Sequence, residues 1–104
     1  MTRIKPHIVV IDDDTAVRDT VCGLVNSVDM QATGYGGCQA FLADGRAHDC
    51  DCLILDMRLP DGNGLGLHEQ LLADGNAPPV VFISGFGDIP MVVQAMRQGA
   101  LAFL

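Results

Sequence analysis

Three short stretches, Ile8-Val9-Val10-Ile11, Leu53-Ile54-Leu55 and Val80-Val81-Phe82-Ile83, are apolar at every position and rich in β-branched residues. A strand with one wet face alternates apolar and polar residues. A run without alternation suits a strand covered on both sides, which is the usual state of strands in a parallel sheet. Between the runs lie helical periodicities. Val17, Val21, Leu24, Val25 and Val28 recur at spacings of three and four, so they fall on one helix face, and Asp14 or Thr15 is placed to cap that helix. A shorter helix is expected over residues 38–43. Another is expected from about 64 to 73, with Leu65, His68, Leu71 and Leu72 inward and Asp74-Gly75-Asn76 as its stop. Asp88 precedes Ile89-Pro90 and opens a helix with Val92, Ala95 and Met96 inward, ended by Gly99. Residues 30–35 form a weaker strand and residues 100–104 a last one. Strands alternating with helices imply right-handed crossovers and a mostly parallel sheet with helices on both faces.

A chain of 104 residues, 49% apolar and 18% charged, is expected to fold as one domain with a core of its own. A net charge of -7 with six Lys and Arg argues against nucleic-acid binding through this surface. No segment approaches the roughly 20 apolar residues of a membrane span, and no signal peptide opens the chain, so a cytoplasmic protein is expected. Cys22, Cys38, Cys50 and Cys52 match neither a zinc pattern nor a disulfide framework and read as free thiols. The group His48, Cys50, Cys52 lacks a fourth metal partner and is set aside.

In open parallel sheets, ligands bind at the carboxyl ends of the strands. Here the first strand ends in Asp12-Asp13-Asp14, the third in Asp56 and the fourth in Ser84-Gly85. If these strands are neighbours, the carboxylates converge, and their repulsion of several kcal/mol at about 4 Å calls for a cation or a proton. Mg²⁺ fits such a corner because it takes one or two carboxylates, keeps waters and accepts phosphate oxygens. Asp56 could then attack phosphorus, with the Ser84 hydroxyl donating to a phosphoryl oxygen. A plainer reading is also open: the aspartates cap the first helix, and Asp56 begins a turn before Pro60-Asp61-Gly62. Asp14 can serve both.

The segments Val10-Ile11-Asp12-Asp13-Asp14-Thr15-Ala16-Val17-Arg18, Leu53-Ile54-Leu55-Asp56-Met57-Arg58-Leu59-Pro60-Asp61-Gly62-Asn63-Gly64 and Val80-Val81-Phe82-Ile83-Ser84-Gly85 resemble the signature of response-regulator receiver (CheY-like) domains over nearly the whole chain. The resemblance implies an α/β fold, a doubly wound parallel five-stranded sheet of flavodoxin-like type with strand order 2-1-3-4-5. It implies Asp56 as phosphoacceptor and Mg²⁺ held by Asp13, Asp56 and the backbone carbonyl of Arg58, with Asp12 assisting through water. Ser84 stands at the family's switch hydroxyl position and Phe103 at that of the switch aromatic, which is also a plain core position. The stretch from Ser84 to Leu104 resembles the FixJ-type subgroup, implying a sensor histidine kinase as partner and a helix-turn-helix DNA-binding output domain in the parent protein.

The family pattern continues past Phe103-Leu104 to a Lys-Pro pair and a fifth helix, whereas this sequence stops at Leu104, so residues 1–104 are expected to be a receiver domain incomplete at its C-terminus. Its one lysine, Lys5, precedes the first strand and belongs at the opposite end of the sheet, and Arg58 cannot mimic a compact ammonium. Metal binding is expected to survive and phosphorylation-driven signalling to be impaired. An apolar strip on the face that the first helix shares with the absent helix is expected to be uncovered and to promote a homodimer or a rearranged packing around the last strand. Two other phosphate chemistries fit less well: a haloacid dehalogenase-type phosphatase needs Thr or Val where Ala16 stands, and a flavodoxin needs a phosphate loop where three aspartates lie. A receiver serving only as an interaction scaffold is the remaining alternative.

Overall fold

The computed structural model describes residues 5–44, 49–83 and 89–104, with the backbone alone for Ile89, Met91 and Phe103. The three apolar runs are strands β1 (His7–Ile11), β3 (Cys52–Asp56) and β6 (Val80–Ile83), joined by β2 (Gln31–Tyr35) and β7 (Ala102–Phe103) in one parallel sheet of order β2-β1-β3-β6-β7. Two further strands, β4 (Arg58–Leu59) and β5 (Gly62–Asn63), form a small antiparallel hairpin outside it. With that hairpin set apart, the order is the 2-1-3-4-5 expected from the sequence.

The register places Ile11 beside Leu55 and Asp56 beside Ile83, so β1, β3 and β6 end at one edge. Helix α1 (Thr15–Ser27) follows β1, α2 (Cys38–Ala43) follows β2, α3 (Gly64–Ala73) follows the hairpin, and α4 (Ile89–Arg97) follows β6. Asp14 caps α1, its carboxylate accepting from the Ala16 and Val17 amides. Gly75 and Gly99 terminate α3 and α4 at φ 74° and 98°, a backbone region that side chains disfavour. The expected cap Asp88 lies outside the described residues.

The main core occupies one face of the sheet. Val9, Ile11, Leu53, Leu55, Val80 and Phe82 are buried there against Phe41 of α2, Leu67 and Leu71 of α3 and Ala95 of α4. On the opposite face Ile8 and Val10 are buried, whereas Ile54, Val81 and Ile83 are half-buried. Helices flank both faces, but the double cover expected of all three strands is complete only at β1. The α1 stripe is largely uncovered, with Leu24 64% and Val28 62% exposed and no α1 residue fully buried, in line with the apolar strip expected on that helix. The inward faces of α3 and α4 differ in part from expectation. On α3, His68 and Leu71 face the core with Leu67, while Leu72 is exposed; on α4, Ala95 is buried and Met96 exposed. Periodicity identifies the residues that share a face but not whether anything packs on it.

All four cysteines are free. Lys5 pairs with Asp29 at 3.2 Å, at the sheet edge opposite the strand ends just described. No described helix is long and apolar enough to cross a membrane.

Candidate metal and phosphoacceptor site

Backbone contacts fix the end of β1. The Asp12 amide donates to the Tyr35 carbonyl at 3.1 Å, and the Asp12 carbonyl accepts from Arg18 Nη1 at 2.8 Å. The Arg18 stem crosses β2 at Gly34, where a Cβ would lie 2.9 Å from Arg18 Cδ. Asp12 is 4% exposed, and its Oδ1 accepts from the Asp14 amide at 2.9 Å. This bond turns the chain so that Asp13 points outward while Asp14 caps α1.

At the end of β3, the Met57 amide donates to the Ile83 carbonyl at 3.2 Å and the Gly64 amide to the Met57 carbonyl at 3.0 Å. Between these ties the hairpin returns the chain to α3, which Asn63 caps by accepting from the Gly66 amide at 2.7 Å. The half-buried Asp56 carboxylate accepts from the Arg58 amide at 3.1 Å.

These two turns bring oxygens of Asp12, Asp13 and Asp56 within 4.8 Å of one another. They open into a cleft of about 490 Å³ that Val17, Ile83 and Leu104 also line. At an effective dielectric near 20, charged Asp12 and Asp56 at such a separation repel by roughly 3 kcal/mol. The Asp56 carboxyl is accordingly pushed above the ordinary carboxylate range, first by burial and then by Asp12 and Asp13, against the Arg58 amide that favours its charged form. A corner of three carboxylates with solvent access suits a hard cation that keeps part of its water shell, and the donors are oxygens alone.

Of the residues singled out in the sequence, Asp12, Asp13 and Asp56 meet here, and Arg58 joins them through its amide. Ser84 and His48 lie outside the described residues. Phe103 is placed by its backbone, opposite Phe82 in the β6–β7 pair. Sequence reasoning missed the Arg18 bond to the Asp12 carbonyl and the contacts of Asp61 described below, because their partners lie 6 and more than 20 residues away with no local pattern linking them.

The response regulator receiver domain family matches residues 8–104. The response regulator protein TodT of Pseudomonas putida is 42% identical over 96 residues, covering 92% of this chain and 42% of its own length. The transcriptional regulatory protein FixJ of Bradyrhizobium diazoefficiens is 37% identical over 100 residues, covering 96% and 49%. Among solved structures, the response regulator StyR matches with a TM-score of 0.86 and 41% identity over 97% of this chain and 51% of that one. The non-phosphorylated HemR receiver domain of Leptospira biflexa shares the fold, with a TM-score of 0.88 at 24% identity over 96% and 81%. The chain belongs to the response regulator receiver domain family, and its relatives place it in the FixJ-type group. It spans less than half the length of these curated relatives.

Proposed function

We propose that this domain is a Mg²⁺-dependent phosphoacceptor, in which Asp56 takes a phosphoryl group from the phosphohistidine of a sensor kinase and thereby switches an output domain of the parent protein. The observation that carries the reading is the meeting of Asp12, Asp13 and Asp56 within 4.8 Å at the carboxyl edge of the sheet. Asp13, Asp56 and the Arg58 carbonyl are the proposed direct ligands, with Asp12 reaching the ion through water. When bound, Mg²⁺ would offset charge on the transferring oxygens.

The chain's own groups do the rest. An oxygen of the Asp56 carboxylate forms the new bond to phosphorus as the bond from phosphorus to the donor imidazole breaks; the electron pair returns to that nitrogen, which is then protonated from solvent. The Arg58 amide, already on the Asp56 carboxylate at 3.1 Å, orients the attacking group. Ser84 and Phe103 are proposed as the switch hydroxyl and aromatic by their family positions. Loss of the phosphoryl group to water is the only turnover expected, so the domain acts as a switch rather than an enzyme. The name of the relative FixJ, a transcriptional regulatory protein, supports transcriptional control by the parent protein, and the resemblance to the FixJ-type group suggests a helix-turn-helix output domain as its means.

The test is exposure to Mg²⁺ with beryllofluoride or a small phosphodonor, followed by NMR and intact mass. Wild-type protein should show Mg²⁺-dependent shifts and a phosphoryl adduct, and Asp56→Asn should lose the adduct. A wild-type spectrum indifferent to Mg²⁺ would remove the basis of the proposal.

A further inference from the structure

Asp61 stands at the tip of the β4–β5 hairpin, outside the acidic corner, and both of its carboxylate oxygens are engaged. Oδ1 accepts from the Cys38 amide at 2.9 Å and Oδ2 from the Gln39 amide at 2.8 Å. These are first-turn amides of α2, a helix whose own cap residue, Gly37, makes no side-chain hydrogen bond. Helix N-termini are ordinarily capped by a residue next to them in sequence. Here the cap comes from 22 residues further along the chain.

The joint is closely fitted. A Cβ at Gly37 would stand 2.8 Å from Asp61 Oδ1, and one at Gly62 would stand 3.2 Å from Cys38 Sγ. The two amides hold the Asp61 carboxyl below the ordinary range, while burial, and after it the Asp61 charge, pushes the Cys38 thiol up. A carboxylate therefore faces a neutral thiol at the contact.

The other end of the hairpin is the acceptor turn. Arg58 pairs with Asn63 and Leu59 with Gly62. A hairpin with two residues per strand has no stability of its own and takes its position from its attachments. One attachment is the Arg58 amide on Asp56, another is the Asn63 cap of α3, and Asp61 ties the tip to α2.

We propose that Asp61 is a positioning residue for the Asp56 centre: by capping α2 across the hairpin, it holds residues 57–60 so that the Arg58 amide stays on Asp56 and the Arg58 carbonyl stays available to a metal. The inference deepens the metal-dependent reading given above and rests on it. It makes the α2 terminus, which touches neither phosphate nor metal in that reading, a support of the site.

The experiment compares wild type with Asp61→Ala, Asp61→Asn and Val80→Ala, the last a buried change at the far end of β6 that lowers stability without touching the hairpin. Amide hydrogen exchange of the metal-free proteins and Mg²⁺ titration are measured on each. Asp61→Ala should speed exchange at Arg58 and Gly64 and weaken Mg²⁺ binding roughly tenfold, the scale seen when groups that orient metal ligands are removed. Asp61→Asn, which keeps one oxygen, should fall between it and wild type, and Val80→Ala should leave Mg²⁺ affinity unchanged and speed exchange across the core without singling out Arg58 and Gly64. If Asp61→Ala frees only Cys38 and Gln39, with Arg58, Gly64 and Mg²⁺ affinity as in wild type, Asp61 is a helix cap and the proposal is wrong. If wild type itself does not bind Mg²⁺, the metal reading fails, and exchange at Arg58 and Gly64 still decides whether Asp61 holds the turn.

Discussion

At Gly64 the space allows nothing larger than hydrogen. A Cβ there would lie 2.5 Å from the Asp56 carbonyl oxygen and 3.2 Å from Leu55 Cγ, so Gly64→Ala must push α3 away from the end of β3. The expected loss is about 1–3 kcal/mol in urea denaturation, with weaker Mg²⁺ binding because Asp56 shifts with its backbone. Gly23, in the middle of α1, has nothing within 4 Å of the same added atom. Gly23→Ala should therefore stabilise by roughly 0.5–1 kcal/mol through helix propensity and the less flexible unfolded chain. Equal effects from the two substitutions would show that close approach at Gly64 is not what its lack of a side chain serves. Sequence alone marks both as glycines among helical residues; only the position of the Asp56 carbonyl separates them.

Between elements, a buried histidine joins α3 to α4. His68 is 2% exposed, lies edge-on to Phe82 at 5.6 Å, and has Gln98 Nε2 at 3.2 Å from its Nδ1. With Gln98 so oriented its amide nitrogen donates and Nδ1 accepts, the arrangement in which the ring proton is assigned to Nε2. Gln98 Oε1 in turn accepts from Gln94 Nε2 at 3.2 Å, which extends the chain of bonds along α4. Burial holds His68 below its usual 6.5, weakly opposed by Glu69. The unfolded chain therefore binds more protons than the folded one just below pH 6.5, so this contribution to stability is complete above that value and is lost as pH falls toward the folded pKa. The urea midpoint of wild type should drop more steeply from pH 6.5 to 5.5 than that of His68→Gln. Parallel curves would mean that His68 titrates no differently when folded. The periodicity of α3 placed His68 inward, but its partner 30 residues away was not legible, because a glutamine just past the end of α4 carries no signal of where it points.

For the molecule as a whole, stability is concentrated on one face of the sheet. Leu53 is fully buried in the cluster beneath α2, α3 and α4, whereas Leu24 is 64% exposed on α1. Leu53→Ala should cost about 2–5 kcal/mol and Leu24→Ala under about 1 kcal/mol in chemical denaturation. Comparable costs would mean that α1 is covered in solution by something that buries its outer stripe. The two leucines read alike in the sequence, each at an apolar position of a well-patterned element. Their difference comes from which neighbours the fold brings to each.

The sequence by itself determined the five strands of the parallel sheet and the meeting of acidic residues at its edge. Unbroken apolar runs favour strands laid side by side in a parallel sheet, and acidic residues at the ends of such runs have one place to go once the strands align. The structure alone decided how much of each face is covered and which groups fasten the site. Half-burial of Ile54, Val81 and Ile83 reflects how other elements cover the sheet, the Arg18 bond to the Asp12 carbonyl reaches back across the turn into α1, and the Asp61 cap on α2 spans more than 20 residues. Periodicity is a property of one element, but coverage and capping across a hairpin depend on the relative placement of several, which no local pattern encodes.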